Sequence, residues 1–183
     1  MPTTLSLTIV PGINNSDAVH WQSRWEATQS DAVRISPASW DEPDLDDWIA
    51  AVDAAVTSPD TIIVAHSLGS LAAAAWLAKN PGRVRGALLV APPDRFGAEF
   101  PAAAPTFRDA EPSVLGVPAL VVASADDRYC ALGTARKLAT AWGAGFVEVG
   151  RVGHINNASK LGAWPAGRVL LDEFAESLAG MVR

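Results

Sequence analysis

The chain has 183 residues, a formal net charge of -6, a hydrophobic share of 49% and a charged share of 19%, the size and make-up of one globular domain (residues 1–183) and not of a disordered chain. Its basic residues are scattered, with Arg83 and Arg85 the nearest approach to a cluster, so nucleic acid is not expected as a partner. The lone cysteine, Cys130, allows no intrachain disulfide and no Cys-based zinc site; with no basic n-region at the start and a longest apolar run of about ten residues, roughly half a membrane span, the expectation is a soluble cytoplasmic protein without membrane association.

Short aliphatic or β-branched runs alternate with longer helical stretches, which predicts a mainly parallel sheet of about six strands covered by helices on both faces. The first strand is expected over Leu5 to Val10 and leads into Pro11-Gly12-Ile13-Asn14-Asn15. A helix region carrying His20, Trp21 and Trp25 follows, in which His20 reads as a cap or core residue, and then a strand over Ala32 to Ser36. Leu45, Trp48, Ile49, Val52 and Val56 form one helical stripe, closed by Ser58-Pro59-Asp60.

The next strand, Thr61 to Ala65, runs at once into His66-Ser67-Leu68-Gly69-Ser70 and an Ala-rich helix that ends at Asn80-Pro81-Gly82. A serine between a strand and a helix, flanked two positions away by the small residues Ala65 and Gly69, matches the nucleophile elbow, whose strained turn exposes the hydroxyl. Ala65 departs from the commoner glycine. A plain N-cap serine is the simpler alternative. The helix beginning at Leu68 aims its free N–H groups at the serine, where an oxyanion would form. His66 precedes Ser67 on the same extended segment and points to the other face, so it is read as a supporting residue and not as the base.

A strand over Gly86 to Ala91 leads into a Pro- and Ala-rich excursion, Pro92 to Pro112, with Phe96, Phe100 and Phe107 as candidates for a shallow apolar wall beside the site. Strand Pro118 to Ala123 is followed by Asp126-Asp127, and strand Gly145 to Val149 by His154. An elbow serine, then an acid, then a histidine, each past the carboxyl end of a strand, is the chain order of an α/β-hydrolase triad; either aspartate is a candidate. Cys130 reads as a small buried hydrophobe, and Trp40, Trp76, Trp142 and Trp164 as packing residues. Leu171, Phe174, Leu178 and Val182 make a last helical stripe. In this arrangement the loop after the first strand gives the second oxyanion donor, expected from the Ile13 N–H with Asn14 next, beside that of Leu68.

Val10-Pro11-Gly12, His20-Trp21 with Trp25, Ala65-His66-Ser67, Ser124-Ala125-Asp126-Asp127, Gly153-His154 and Gly162-Ala163-Trp164-Pro165-Ala166-Gly167 together resemble the small serine hydrolase family that includes retinoblastoma-binding protein 9 and its bacterial relatives. The resemblance runs over nearly the whole chain. It implies a compact α/β-hydrolase fold and a triad of Ser67, Asp127 and His154, with the second aspartate of the pair as the acid. The function expected is hydrolysis of a small ester or amide through an acyl-enzyme, without metal or organic cofactor; oligomeric state is left open. A protein-interaction module on the same scaffold is the competing reading. A nucleotide-binding domain is disfavoured because no Gly-x-Gly-x-x-Gly loop follows the first strand.

Overall fold

The aliphatic runs form six strands because side chains that are apolar on both sides of an extended segment need cover on both faces. The structure, a computed structural model, describes residues 6–180. In chain order it comprises β1 (Ser6–Val10), α1 (Trp21–Ala27), β2 (Ala32–Arg34), α2 (Leu45–Ala55), β3 (Thr61–His66), α3 (Leu68–Lys79), β4 (Gly86–Val90), β5 (Ala119–Ala123), α4 (Leu132–Trp142), β6 (Gly145–Glu148) and α5 (Pro165–Gly180). The expected strands are found with ends differing by one or two residues. The proposed strand start at Leu5 and the apolar position Val182 lie outside the described residues.

All strands are parallel, in the order β2-β1-β3-β4-β5-β6. The alternation of side chains along β3 sends Ile63 and Ala65 to one face, with Trp48, Leu71, Trp76 and Trp142 from α2, α3 and α4. Ile62 and Val64 go to the other, with Trp21, Trp25 and Leu171 from α1 and α5. Burying an indole removes about 200 Å² from water and is worth ~5 kcal/mol at most, so the tryptophans anchor both helical layers. The chain winds from β1 to β2 on one side and to β3 on the other, and the crevice between such diverging connections, at the carboxyl ends of the strands, is where ligands bind in sheets of this kind. β3 ends there.

The segment between β4 and β5 corrects one expectation. Phe107 is fully buried, edge-on to Trp48 at 5.3 Å, and Phe100 is buried in the same core. Phe96 is exposed beneath the Arg95 guanidinium, 4.6 Å from its ring centre. None of the three lines the cleft beside Ser67. The reason is a pair of reciprocal bonds: Arg95 Nη1 donates to the Arg108 carbonyl at 2.7 Å and Arg108 Nη1 to the Arg95 carbonyl at 2.6 Å. These fold the excursion onto α2 and α3, where Thr106 Oγ1 accepts the Leu45 N–H at 3.0 Å. Pro93 and Pro101, and not the phenylalanines, reach the cleft.

Candidate active site

Ser67 is the hinge between β3 and α3, with φ 52° and ψ -126°. A non-glycine residue there costs about 1–3 kcal/mol, held only because its surroundings leave no alternative. Its N–H donates to the Val90 carbonyl at 2.9 Å, fixing the turn to β4. Its side chain makes no capping bond to α3, so the N-cap alternative does not describe it. Two glycines let neighbouring backbone close in: a methyl on Gly12 would stand 3.0 Å from Ser67 Cβ, and one on Gly69 only 2.2 Å from the Pro11 carbonyl oxygen. Gly69 is therefore small for the sake of the β1 end, which the pattern around the serine alone did not reveal.

The loops after β5 and β6 bring the acid and the histidine to this turn. His154 Nε2 lies 2.7 Å from Ser67 Oγ, and His154 Nδ1 lies 2.8 and 3.0 Å from the two oxygens of Asp127. A carboxylate only accepts, so Nδ1 carries the proton and Nε2 accepts the Ser67 hydroxyl. Asp127 Oδ1 also takes the Tyr129 N–H at 2.9 Å. Asp126 faces elsewhere: its Oδ1 accepts the Gly153 N–H at 2.8 Å and the Ser124 hydroxyl at 2.9 Å, bonds that hold its carboxyl below the ordinary aspartate range. The two aspartates thus divide the work, one on the imidazole and one on the loop that carries it.

Opposite the serine, the Asn14 N–H is spent on the Trp40 carbonyl at 2.7 Å. This removes Asn14 as an oxyanion donor. Ile13 and Leu68 both line the cleft with Ser67, and no bond engages either N–H among the described residues. Asn14 and Asn15 both adopt φ 65°; Arg34 Nη1 pins that turn by donating to Asn15 Oδ1 at 2.7 Å and the Ser16 carbonyl at 2.8 Å. The cleft itself holds about 300 Å³ and is walled by Ile13, Pro93, Pro101 and Tyr129, with Asn14, Asn15, Asn156 and Asn157 at its rim. No Asp, Glu, Lys or Arg side chain lines it.

All three histidines of the chain gather here, which their sequence positions did not show. His20 caps α1, its Nδ1 accepting the Gln22 N–H at 3.2 Å; burial lowers its pKa to about 4. His66, buried next to it with ring centres 5.0 Å apart, is pushed well below the ordinary histidine value, by burial first and then by the neighbouring histidines. Gln22 is fully buried as well, donating to the carbonyls of Val10 and Val64 at 3.2 and 3.1 Å and accepting the Ser16 hydroxyl. It ties the ends of β1 and β3 to α1. A glutamine on a helix carries no sequence signal for such a role. Cys130 is buried and its thiol pushed up to about 12, by burial and then by Asp94 and Asp127, so it is no nucleophile. Among the described residues no three His, Cys, Asp or Glu side chains are grouped to hold a metal, and no helix is long and apolar enough to cross a membrane.

Residues 7–173 match the family model described as serine hydrolase. The chain belongs to the serine hydrolase family. This serine hydrolase is similar to a YdeN-like hydrolase from Pectobacterium atrosepticum, with 35% identity over 96% of this chain and 92% of that one and a TM-score of 0.83. It is also similar to the ydeN gene product of B. subtilis, at 21% identity over 93% and 98% of the two chains and a TM-score of 0.76. Est1E from Butyrivibrio proteoclasticus, in its complex with ferulic acid, aligns at 13% identity over 93% and 90% with a TM-score of 0.69. The last two speak for the fold alone, and that fold is the α/β-hydrolase fold expected. No curated protein matches the chain.

Proposed function

We propose that this serine hydrolase is an esterase-like acyl hydrolase in which Ser67, His154 and Asp127 form the triad, and that within the family it stands with the group typified by retinoblastoma-binding protein 9. The observation that carries the reading is the unbroken line of hydrogen bonds from Ser67 Oγ to His154 Nε2 at 2.7 Å and from His154 Nδ1 to Asp127 at 2.8 Å. Ser67 Oγ attacks the substrate carbonyl while His154 Nε2 takes its proton. Asp127 keeps the imidazole in the accepting tautomer and stabilises the cation that forms. The N–H groups of Ile13 and Leu68 receive the oxyanion, each worth about 3 kcal/mol in comparable sites. His154 then protonates the leaving group, and water, activated by the same imidazole, hydrolyses the acyl-enzyme.

A cleft of about 300 Å³ without charged lining favours small, uncharged substrates. Acyl chains of about two to six carbons fit it best. The test is labelling with a fluorophosphonate, read as a mass shift on the Ser67 peptide, together with a p-nitrophenyl ester series read as kcat/KM. Ser67→Ala is expected to lose both label and turnover. A Ser67→Ala protein that still hydrolyses esters refutes the triad, and a maximum at about twelve carbons or beyond refutes the small-acyl reading. Labelling without turnover of any ester or amide would favour the interaction-module reading instead.

A further inference from the structure

His154 is followed by Ile155 at φ 52°, a backbone region that β-branched residues rarely enter. That position is held from two sides. His66 Nε2 lies 3.0 Å from the His154 carbonyl oxygen; a carbonyl only accepts, so the proton of His66 is on Nε2. Trp21 Nε1 donates to the next carbonyl, that of Ile155, at 2.8 Å, while the Ile155 side chain is fully buried in the layer that holds Trp21. Beyond these, Trp25 Nε1 donates to the Ala163 carbonyl at 2.7 Å.

We infer that His66 and Trp21 are positioning residues, which hold the two peptide carbonyls at the base of His154 so that its imidazole meets Ser67 and Asp127 together. The inference rests on the proposed triad. Its force lies in a closed circuit. His66 is the covalent neighbour of Ser67, and its N–H fixes the backbone of His154, whose own Nε2 returns to Ser67 Oγ at 2.7 Å. Nucleophile and base are thereby measured against each other through one residue, although their backbones follow strands β3 and β6, three places apart in the sheet. Burial keeps His66 uncharged, so it donates without setting a second positive charge beside the imidazolium that His154 becomes. His66 is 5.1 Å from His154 by ring centres, close enough for such a charge to oppose that cation.

The experiment measures kcat and KM for p-nitrophenyl acetate in Trp21→Phe, His66→Leu and His66→Gln, with Ser67→Ala as the inactive reference and circular dichroism as the check on folding. Trp21→Phe keeps an aromatic ring while removing the donor and part of the buried indole, so the folding check and the split between kcat and KM separate the lost bond from lost packing. Trp21→Phe and His66→Leu are expected to lower kcat about tenfold to a hundredfold, the size of effect that a misplacement near 1 Å produces, with KM within about twofold. His66→Gln, whose amide nitrogen reaches the place of Nε2, is expected to recover to within about threefold of the parent. An unchanged kcat in Trp21→Phe, a loss carried by KM alone, or a folded His66→Gln as weak as His66→Leu overturns the assignment. Should His66→Leu fail to fold, Trp21→Phe decides by itself. Turnover surviving in Ser67→Ala would instead remove the triad, a result distinct from any of these.

Discussion

Replacing Asp127 by asparagine changes one atom, and the structure dictates which way the new amide turns. Asp127 Oδ1 accepts the Tyr129 N–H at 2.9 Å, and Oδ2 faces His154 Nδ1 at 2.8 Å. In Asp127→Asn the amide oxygen must stay toward Tyr129, because an NH₂ placed there would set donor against donor. The NH₂ group therefore takes the shorter contact to Nδ1 at 2.8 Å, leaving the amide oxygen, shared with Tyr129, only the longer one at 3.0 Å; the expected result is that Nδ1 accepts and the imidazole proton moves to Nε2. That proton then points at Ser67 Oγ across 2.7 Å, so the base has no lone pair with which to take the hydroxyl proton. A wrong tautomer of this kind costs about ten-thousand-fold in kcat, or ~5 kcal/mol of barrier. Initial rates on p-nitrophenyl acetate, with Asp126→Asn assayed beside it, are the measurement. Asparagine at 126 still offers Oδ1 to the Gly153 N–H, so that variant should stay within about tenfold of the parent. A loss below about tenfold in Asp127→Asn, or the opposite ranking of the pair, refutes the argument.

Gly69→Ala places a methyl 2.2 Å from the Pro11 carbonyl oxygen and 2.5 Å from that of Val10, both backbone atoms; it should cost about 3 kcal/mol in urea unfolding, and an unchanged midpoint would mean that β1 and α3 part easily. His20, lowered from 6.5 to about 4, and His66, also lowered, are held neutral by burial, so below about pH 6.5 the unfolded chain binds protons that the folded chain does not. Stability is therefore full above that pH and falls as pH drops toward about 4, by ~3 kcal/mol for His20 alone; the window lies above the range in which the lowered carboxylates Asp126 and Glu111 titrate. Urea midpoints that are flat from about pH 7 to 5, or equally steep in His20→Gln, would contradict this. Phe107→Ala should cost about 3–5 kcal/mol by emptying the space against Trp48 without altering the acyl-length profile, whereas Phe96→Ala should change neither; a shifted profile in either variant would return that ring to the cleft.

Much of this candidate site is legible in the chain because the three residues of the proposed triad sit in the loops just beyond strand ends, and strand ends can be read from where aliphatic runs stop. Ser67 follows Thr61–His66, and His154 follows Gly145–Glu148 within one loop. The residues alone left Asp126 and Asp127 open, since both share that loop and their difference is a rotation about the backbone; it was the family resemblance that pointed to Asp127, the one whose carboxylate meets His154 Nδ1. Three other features escaped for distinct reasons. Helix α4 buries only Ala135, Ala139 and Trp142, a stripe too weak in hydrophobicity to stand out. The phenylalanines of the excursion were misplaced because the Arg95 and Arg108 bonds that steer them span a turn with no periodic pattern. The supports of His154, from Trp21 and His66, join residues 134 and 88 positions apart, and side-chain bonds of that reach leave no local trace.

The proposed nucleophile, Ser67, and its proposed base, His154, rest on unequal ground. β3 lies between β1 and β4 and is buried along its whole length, whereas β6 has four residues, pairs only with β5 at the margin of the sheet, and leaves both its ends exposed. Cooperative units at the margin of a sheet open at lower free energy than those at its centre. Amide protons of Phe146 and Val147 are therefore expected to exchange with solvent through a partial opening that leaves Ile63 and Val64 protected. An opening that carried His154 along, against the bonds from His66 and Trp21, would break the proposed triad in a molecule that is otherwise folded, and activity in denaturant is then expected to fade before the sheet melts.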